Sequence, residues 1–129
     1  MLFGRTEDYP YAPDGGRHNK TYEVVAAKDY KDGDMLEDES NGFAYPHLSH
    51  EMKYTATYDA AHGDGSNGNF GAHGFNEAGV SMTSTVSATP HDKILEADPL
   101  VKNGLAEAAM VDLVLPRAKT AREGIELVA

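Results

Sequence analysis

The stretch Asn76-Glu77-Ala78-Gly79 constrains this chain more than any other, because it reverses the backbone between two runs of strand-forming residues. Asn76 can open a turn by side-chain hydrogen bonding, and Gly79 can supply the positive φ that a type I turn with a G1 bulge demands. A β-hairpin within Ala72 to Ser87 follows. After the turn, Val80, Met82, Ser84 and Val86 alternate with Ser81, Thr83, Thr85 and Ser87, so this strand has one mainly apolar face and one lined with hydroxyls. The hydroxyl row is either the solvent side of an antiparallel sheet or the wall of a polar cleft, and pattern alone favours the first.

Upstream of the hairpin two further strands are predicted. Lys20 to Lys28 is dense in β-branched and aromatic residues between turn formers, and Lys53 to Tyr58 alternates strictly, with Tyr54, Ala56 and Tyr58 on one side. Between them, Asp29 to Asn41 carries Asp32, Asp34, Glu37, Asp38 and Glu39 after its leading Asp29. It fails as a calcium loop, since Lys31 and Gly33 fall where oxygen ligands are needed, and it reads as a solvated acidic loop. Phe43 to Pro46 then runs to the edge of the core. His47, His50 and Glu51 form an H-x-x-H-E group, but Pro46 and Ser49 disfavour the helix that would put both imidazoles on one face, so no metal site is assigned. Asp59 to Gly71 is glycine-rich, yet it lacks a following Lys and contains Asp59 and Asp64; it reads as a connection, not a phosphate cradle.

From His91 the pattern turns helical. Asp92 to Pro99 reads as a loop or one short turn ended by Pro99. Leu105 to Leu115 is a buried helix that Pro116 closes or kinks. Thr120 and Glu123 form a capping box for a helix over Ala121 to Val128, with Ile125 and Val128 expected to face inward. Strands followed by helices indicate an α+β architecture. At the N-terminus, Leu2 to Arg5 reads as the second half of a strand already under way, leading through Thr6 to Asp8 into a loop with Pro13, Gly15 and Gly16. Arg5 and Asp8 can sit side by side there, as a surface ion pair on the plainest reading.

With 129 residues, 40% of them hydrophobic, the chain suits a single domain. Eleven Lys and Arg against twenty-one acids, a formal charge of -10, leave no basic stripe for nucleic acid and disfavour anionic membranes. No apolar run approaches the roughly 20 residues of a membrane-spanning helix, and the N-terminus lacks signal-peptide character, so a cytoplasmic location is expected. The chain has no Cys, which excludes disulfides, thiolate metal sites and a thiol nucleophile within it. No cofactor is expected, and a second copy of the chain, in a homo-oligomer, is among the partners the sequence admits.

Several stretches, taken in order, carry a resemblance: Gly4-Arg5-Thr6-Glu7-Asp8, Ser40 to Pro46, Gly74 to Met82, Ala97 to Val101, Val114-Leu115-Pro116 and Thr120 to Gly124. Together they resemble the bacterial cysteine dipeptidases, dipeptidase A type, of the N-terminal-nucleophile hydrolase superfamily. The resemblance implies a four-layer αββα sandwich and a parent activity on dipeptide substrates, in which an N-terminal Cys attacks the peptide carbonyl while its own α-amine takes the proton. It implies catalytic roles for Arg5, which would stabilise the thiolate, and Asp8, which would hold the amine or thiol. The strand after the hairpin would border the substrate through Ser84 and Thr85. Val86 falls where relatives carry a polar side chain that assists the oxyanion, a role Val cannot fill.

On this resemblance residues 1–129 are expected to be one incomplete domain, an N-terminal-half fragment of a longer dipeptidase domain that lacks the nucleophile and is itself inactive. Loss of a neighbouring strand should leave the isolated chain marginally stable. The alternative is a non-catalytic acidic binding domain in which Arg5 and Asp8 are only an ion pair.

Overall fold

The computed structural model describes residues 2–6, 20–59, 71–85 and 90–129. Its centre is a four-stranded antiparallel sheet in the order β1 (Lys20–Val25), β6 (Tyr54–Asp59), β7 (Gly71–Asn76) and β8 (Ser81–Thr83). Two small two-stranded sheets flank it: β2 (Lys28–Asp29) with β5 (His50–Glu51), and β3 (Met35–Asp38) with β4 (Phe43–Pro46). Three helices follow, α1 (Asp92–Ala97), α2 (Glu107–Val114) and α3 (Ala121–Val128). The α+β class, with antiparallel sheets preceding helices, is as expected.

The hairpin forms by the chemistry its turn residues imply. Asn76 Oδ1 accepts from Val80 N at 2.9 Å, Gly79 N donates to Asn76 O, and Gly79 has φ 84°, which a side chain would resist. Asn76 Nδ2 meanwhile donates to the carbonyls of Leu115 and Ala118, both at 2.7 Å. One buried amide thus closes the turn and ties it to the chain after α2.

Strand β6 buries Tyr54, Ala56 and Tyr58 on one side, as its alternation predicts. These residues join Val80, Val111, Val114, Leu115 and Ala118 in the core between the sheet and α2. The sheet lies close enough that Gly74 has no alternative: a Cβ there would run into the Thr55 carbonyl of the neighbouring strand. The opposite face of the sheet carries Tyr22, Val24 and Phe75, which are 63%, 65% and 46% exposed.

Three expectations are corrected. The acidic stretch is not all loop, because Met35–Asp38 pairs with Phe43–Pro46 as a hairpin in register Leu36 to Tyr45. Asp38 closes that turn, its Oδ1 accepting from Ser40 N and its carbonyl from Gly42 N; Glu37 points outward, and Asp38, on the less exposed face, is engaged by these turn contacts, so neither acid opposes strand formation. Asp92–Ala97 is a short helix, N-capped by His91 Nδ1, which accepts from Lys93 N at 3.2 Å. In α3 Thr120 is the N-cap as predicted, its Oγ1 accepting from Glu123 N, while the Glu123 carboxylate accepts from Lys119 N and not from Thr120 N, and the inward face differs from the one expected. Ile125 is 66% exposed and Val128 41%, whereas Gly124 is buried and Leu127 packs on the core. A Cβ on Gly124 would stand 3.0 Å from Val114 Cγ1, so the helices approach through the glycine, and this turns Ile125 away.

Candidate active site

Arg5 lies on the extended segment 2–6 and is delivered to the end of the β7–β8 hairpin farthest from its turn. There its Nη1 donates to Ala72 O at 2.5 Å, Ser84 O at 2.6 Å and Thr83 Oγ1 at 3.2 Å. Antiparallel pairing brings these acceptors together: Thr83 faces His73 across the strands, and Ser84 N continues the ladder to Ala72 O at 3.1 Å. None of the three partners is charged. They orient the guanidinium while leaving its charge uncompensated by these bonds, so it can act on an anion placed beside it.

The other expected site residues are placed as follows. Ser84 is buried and its Oγ donates to Gly71 O at 3.1 Å, fastening the chain beyond β8 to the start of β7. Thr85 is exposed. Asp8 and Val86 lie outside the described residues, as do the Pro13 to Gly16 loop and the central glycines between β6 and β7. The contact that the sequence reading did not single out is Thr83. Its signal was present in the alternation, since Thr83 shares the hydroxyl face with Ser81 and Thr85, whereas Ser84 shares a face with buried Val80.

Beside this region, Leu2, Phe3, Tyr22, Thr55, His73 and Phe75 line a groove of about 570 Å³ on the open face of the sheet. Phe3 lies over His73, with ring centroids 6.1 Å apart. The groove and Arg5 are joined through the neighbouring pair His73 and Thr83.

Two polar clusters lie on the helical side. Tyr54 and Tyr58 both donate to Asp112 Oδ1, at 2.8 and 2.5 Å. Burial drives the Asp112 carboxyl above its ordinary value, an effect the two tyrosine hydrogen bonds oppose. Burial likewise raises both tyrosines, with the Asp112 charge adding to it. Next to them, Arg117 Nη2 meets Glu51 Oε1 at 2.7 Å, and Arg117 Nη1 donates to the carbonyls of Asp112 and Leu113. His47 Nδ1 lies 3.0 Å from the same Glu51 oxygen and its ring stacks on Tyr30 at 3.6 Å, while His50 turns to Asp29. The two imidazoles therefore serve different carboxylates. Among the described residues no group of three or more His, Cys, Asp or Glu is arranged to hold a metal ion, and no helix is long and apolar enough to cross a membrane. These clusters link β5 and β6 to α2 and the turn that follows it.

Comparison with known proteins places this geometry in context. The family described as Peptidase family C69 matches residues 2–129. A "Probable dipeptidase B" of Streptococcus pyogenes serotype M18 (strain MGAS8232) is 46% identical over 129 residues, covering 100% of this chain and 24% of the relative. A "Probable dipeptidase" of Latilactobacillus sakei is 41% identical over 87 residues, 67% of this chain and 18% of the relative. A "Probable dipeptidase A" of Streptococcus pyogenes serotype M3 (strain SSI-1) is 45% identical over 74 residues, 57% of this chain and 15% of the relative. The chain spans about a quarter of the length of the curated relatives it matches end to end.

Proposed function

The chain belongs to peptidase family C69, and from that premise we propose that these residues form part of a dipeptidase that hydrolyses the single peptide bond of dipeptides. The observation that carries this reading is the 46% identity sustained over all 129 residues with a relative named a probable dipeptidase. In this reading the nucleophile is an N-terminal Cys thiolate supplied from outside these residues, which contain no Cys. The thiolate adds to the peptide carbonyl, and the C–N bond breaks as the leaving amine takes a proton from the α-ammonium. Water then hydrolyses the thioester.

Arg5 stabilises the thiolate, and a guanidinium seated on neutral carbonyls suits that task because its charge is not spent on those contacts. Asp8 orients the α-amine. Thr85 and the end of β8 border the substrate, with Ser84 acting through the backbone it fastens. The architecture that goes with this chemistry is a four-layer αββα sandwich. The uncovered sheet face bearing Tyr22, Val24 and Phe75 supports it, since α2, with α3 packed against it, already lies on the other side.

The test is to incubate the full-length protein that carries these residues with a panel of dipeptides and with longer peptides, following released amino acids. Dipeptides should be cleaved, and alkylation of a thiol should stop the reaction. Absence of hydrolysis across the panel, or turnover indifferent to alkylation, would overturn the reading.

A further inference from the structure

We propose that Thr83 is a positioning residue for Arg5, setting the guanidinium in the orientation that the dipeptidase reaction uses; this rests on the function proposed above. Three acceptors converge on Arg5 Nη1, and two of them, Ala72 O and Ser84 O, are main-chain carbonyls whose places are set by the sheet. The third, Thr83 Oγ1, is the side-chain member of the seat. An Nη1 amide-like nitrogen carries two hydrogens, so with carbonyls taking both, the hydroxyl acts as a lateral stop that shares one of them.

The hydroxyl is itself aimed. Thr83 Oγ1 donates to Ala72 O at 3.4 Å, which points its hydrogen at the carbonyl and presents a lone pair to Arg5. Arg5, Thr83 and Ala72 thereby form a closed triangle in which each side is a hydrogen bond. The contact reaches across 78 residues of sequence. The position is exposed and lies at the end of β8, where nothing in the core requires a hydroxyl. A β-branched residue there satisfies the strand, but among β-branched residues only Thr also supplies the acceptor.

The experiment uses the full-length protein carrying these residues, with Arg5→Lys, Thr83→Val and Thr83→Ser variants. Thr83→Val keeps the shape and strand propensity and removes the hydroxyl; Thr83→Ser keeps the hydroxyl and loses the methyl. Thr83→Val should lower kcat by roughly 5- to 100-fold, the range for a small displacement of a group that acts at the reacting centre, with KM little changed. The acidic limb of the kcat/KM pH profile should move to higher pH, because a less well placed cation depresses the thiol pKa less. Thr83→Ser should restore both quantities, and the melting temperature should be the same in all three Thr83 forms. Unchanged kcat in Thr83→Val beside an impaired Arg5→Lys would overturn this inference and leave the dipeptidase reading standing. Equal impairment in Thr83→Ser and Thr83→Val would also overturn it, since the hydroxyl would then not be the cause. No turnover by the unaltered protein would sink the dipeptidase reading itself, and this inference with it.

Discussion

Arg117 Nη2 donates to Glu51 Oε1 across 2.7 Å, and both side chains are nearly withdrawn from water, at 3% and 6% exposure. The pair joins β5 to the turn after α2, and Leu48 N and His47 Nδ1 converge on the same carboxylate oxygen. A buried ion that loses its partner costs far more than the pair contributes, so Glu51→Gln should destabilise the chain by about 3–5 kcal/mol. The double change Glu51→Leu with Arg117→Met should cost less than that single one, because it removes both charges together. Urea denaturation of the three forms checks the ordering, and a double variant weaker than Glu51→Gln would contradict it.

Asp112 supplies a pH dependence whose sign can be worked out. Burial raises its carboxyl above the ordinary 3.8, against the opposing hydrogen bonds from Tyr58 and Tyr54. The folded state therefore prefers the protonated acid. Its contribution to stability is fully present below pH 3.8 and is lost as pH rises through the higher folded value. Asp112→Asn should abolish that decline, so that stability measured by urea midpoints from pH 3 upward falls less steeply in the variant than in the wild type. A second decline should begin near pH 10, the ordinary tyrosine value, since burial raises Tyr54 and Tyr58 as well. Parallel profiles for Asp112→Asn and wild type would refute the assignment.

Two glycines should respond very differently to the same methyl group. At Gly74 the added Cβ meets the Thr55 carbonyl, which is backbone in a paired strand and cannot step aside. Gly74→Ala should cost more than about 3 kcal/mol, beyond the usual range for overpacking, or prevent folding. At Gly79 there is open space and the obstacle is only φ 84°, so Gly79→Ala should cost about 1–2 kcal/mol. Thermal melts of the two variants decide, and equal losses would show that the Thr55 carbonyl is no obstacle to a Cβ at Gly74.

For the proposed reaction, Arg5→Lys and Asp8→Asn in the full-length protein should each lower kcat by at least about 100-fold, with the melt nearly unchanged. A lysine ammonium can occupy the seat that Nη1 makes with its three acceptors, but as a point charge it lacks the rest of the planar N–H edge that a guanidinium presents to an anion. If the two residues form only a surface ion pair, each change should instead shift stability by less than about 1 kcal/mol and leave turnover alone.

The 129-residue chain by itself contains no Cys, so a thiol reagent should add no mass to it and it should release no amino acids from dipeptides. Mass spectrometry after alkylation and a dipeptide assay on rigorously purified chain test this directly. Persistent turnover would rule out the thiol mechanism.

Much of the fold was legible where one short stretch carries its own instructions. The turn at Asn76 to Gly79, the alternation of Tyr54, Ala56 and Tyr58, and the Thr120 cap of α3 each depend on groups within a few residues of one another. Strand β3 was hidden because acid-rich sequence ordinarily signals a loop, and only its pairing with β4 reveals Leu36 and Asp38 as the less exposed positions. The family resemblance points to Ser84 and Thr85 at the end of the hairpin, whereas the side chain there that Arg5 contacts is Thr83. Choosing among them requires knowing which face Arg5 approaches.

By its sequence alone this chain determined the hairpin, the strand β6, the two longer helices, the absence of a thiol and its membership of a peptidase family. Each of these rests on local hydrogen bonding, on periodicity or on residue identity. Tertiary structure alone decided which face of α3 turns inward, which charges are buried together and where the Arg5 guanidinium rests. Those outcomes link groups far apart in the chain: 67 residues separate Arg5 from Ala72, and 39 separate Asn76 from Leu115. The physical reason is that a side chain's periodicity states only that it has an inside and an outside. Which partner occupies the inside follows from how closely two backbones can approach, as Gly124 against Val114 and Gly74 against Thr55 show.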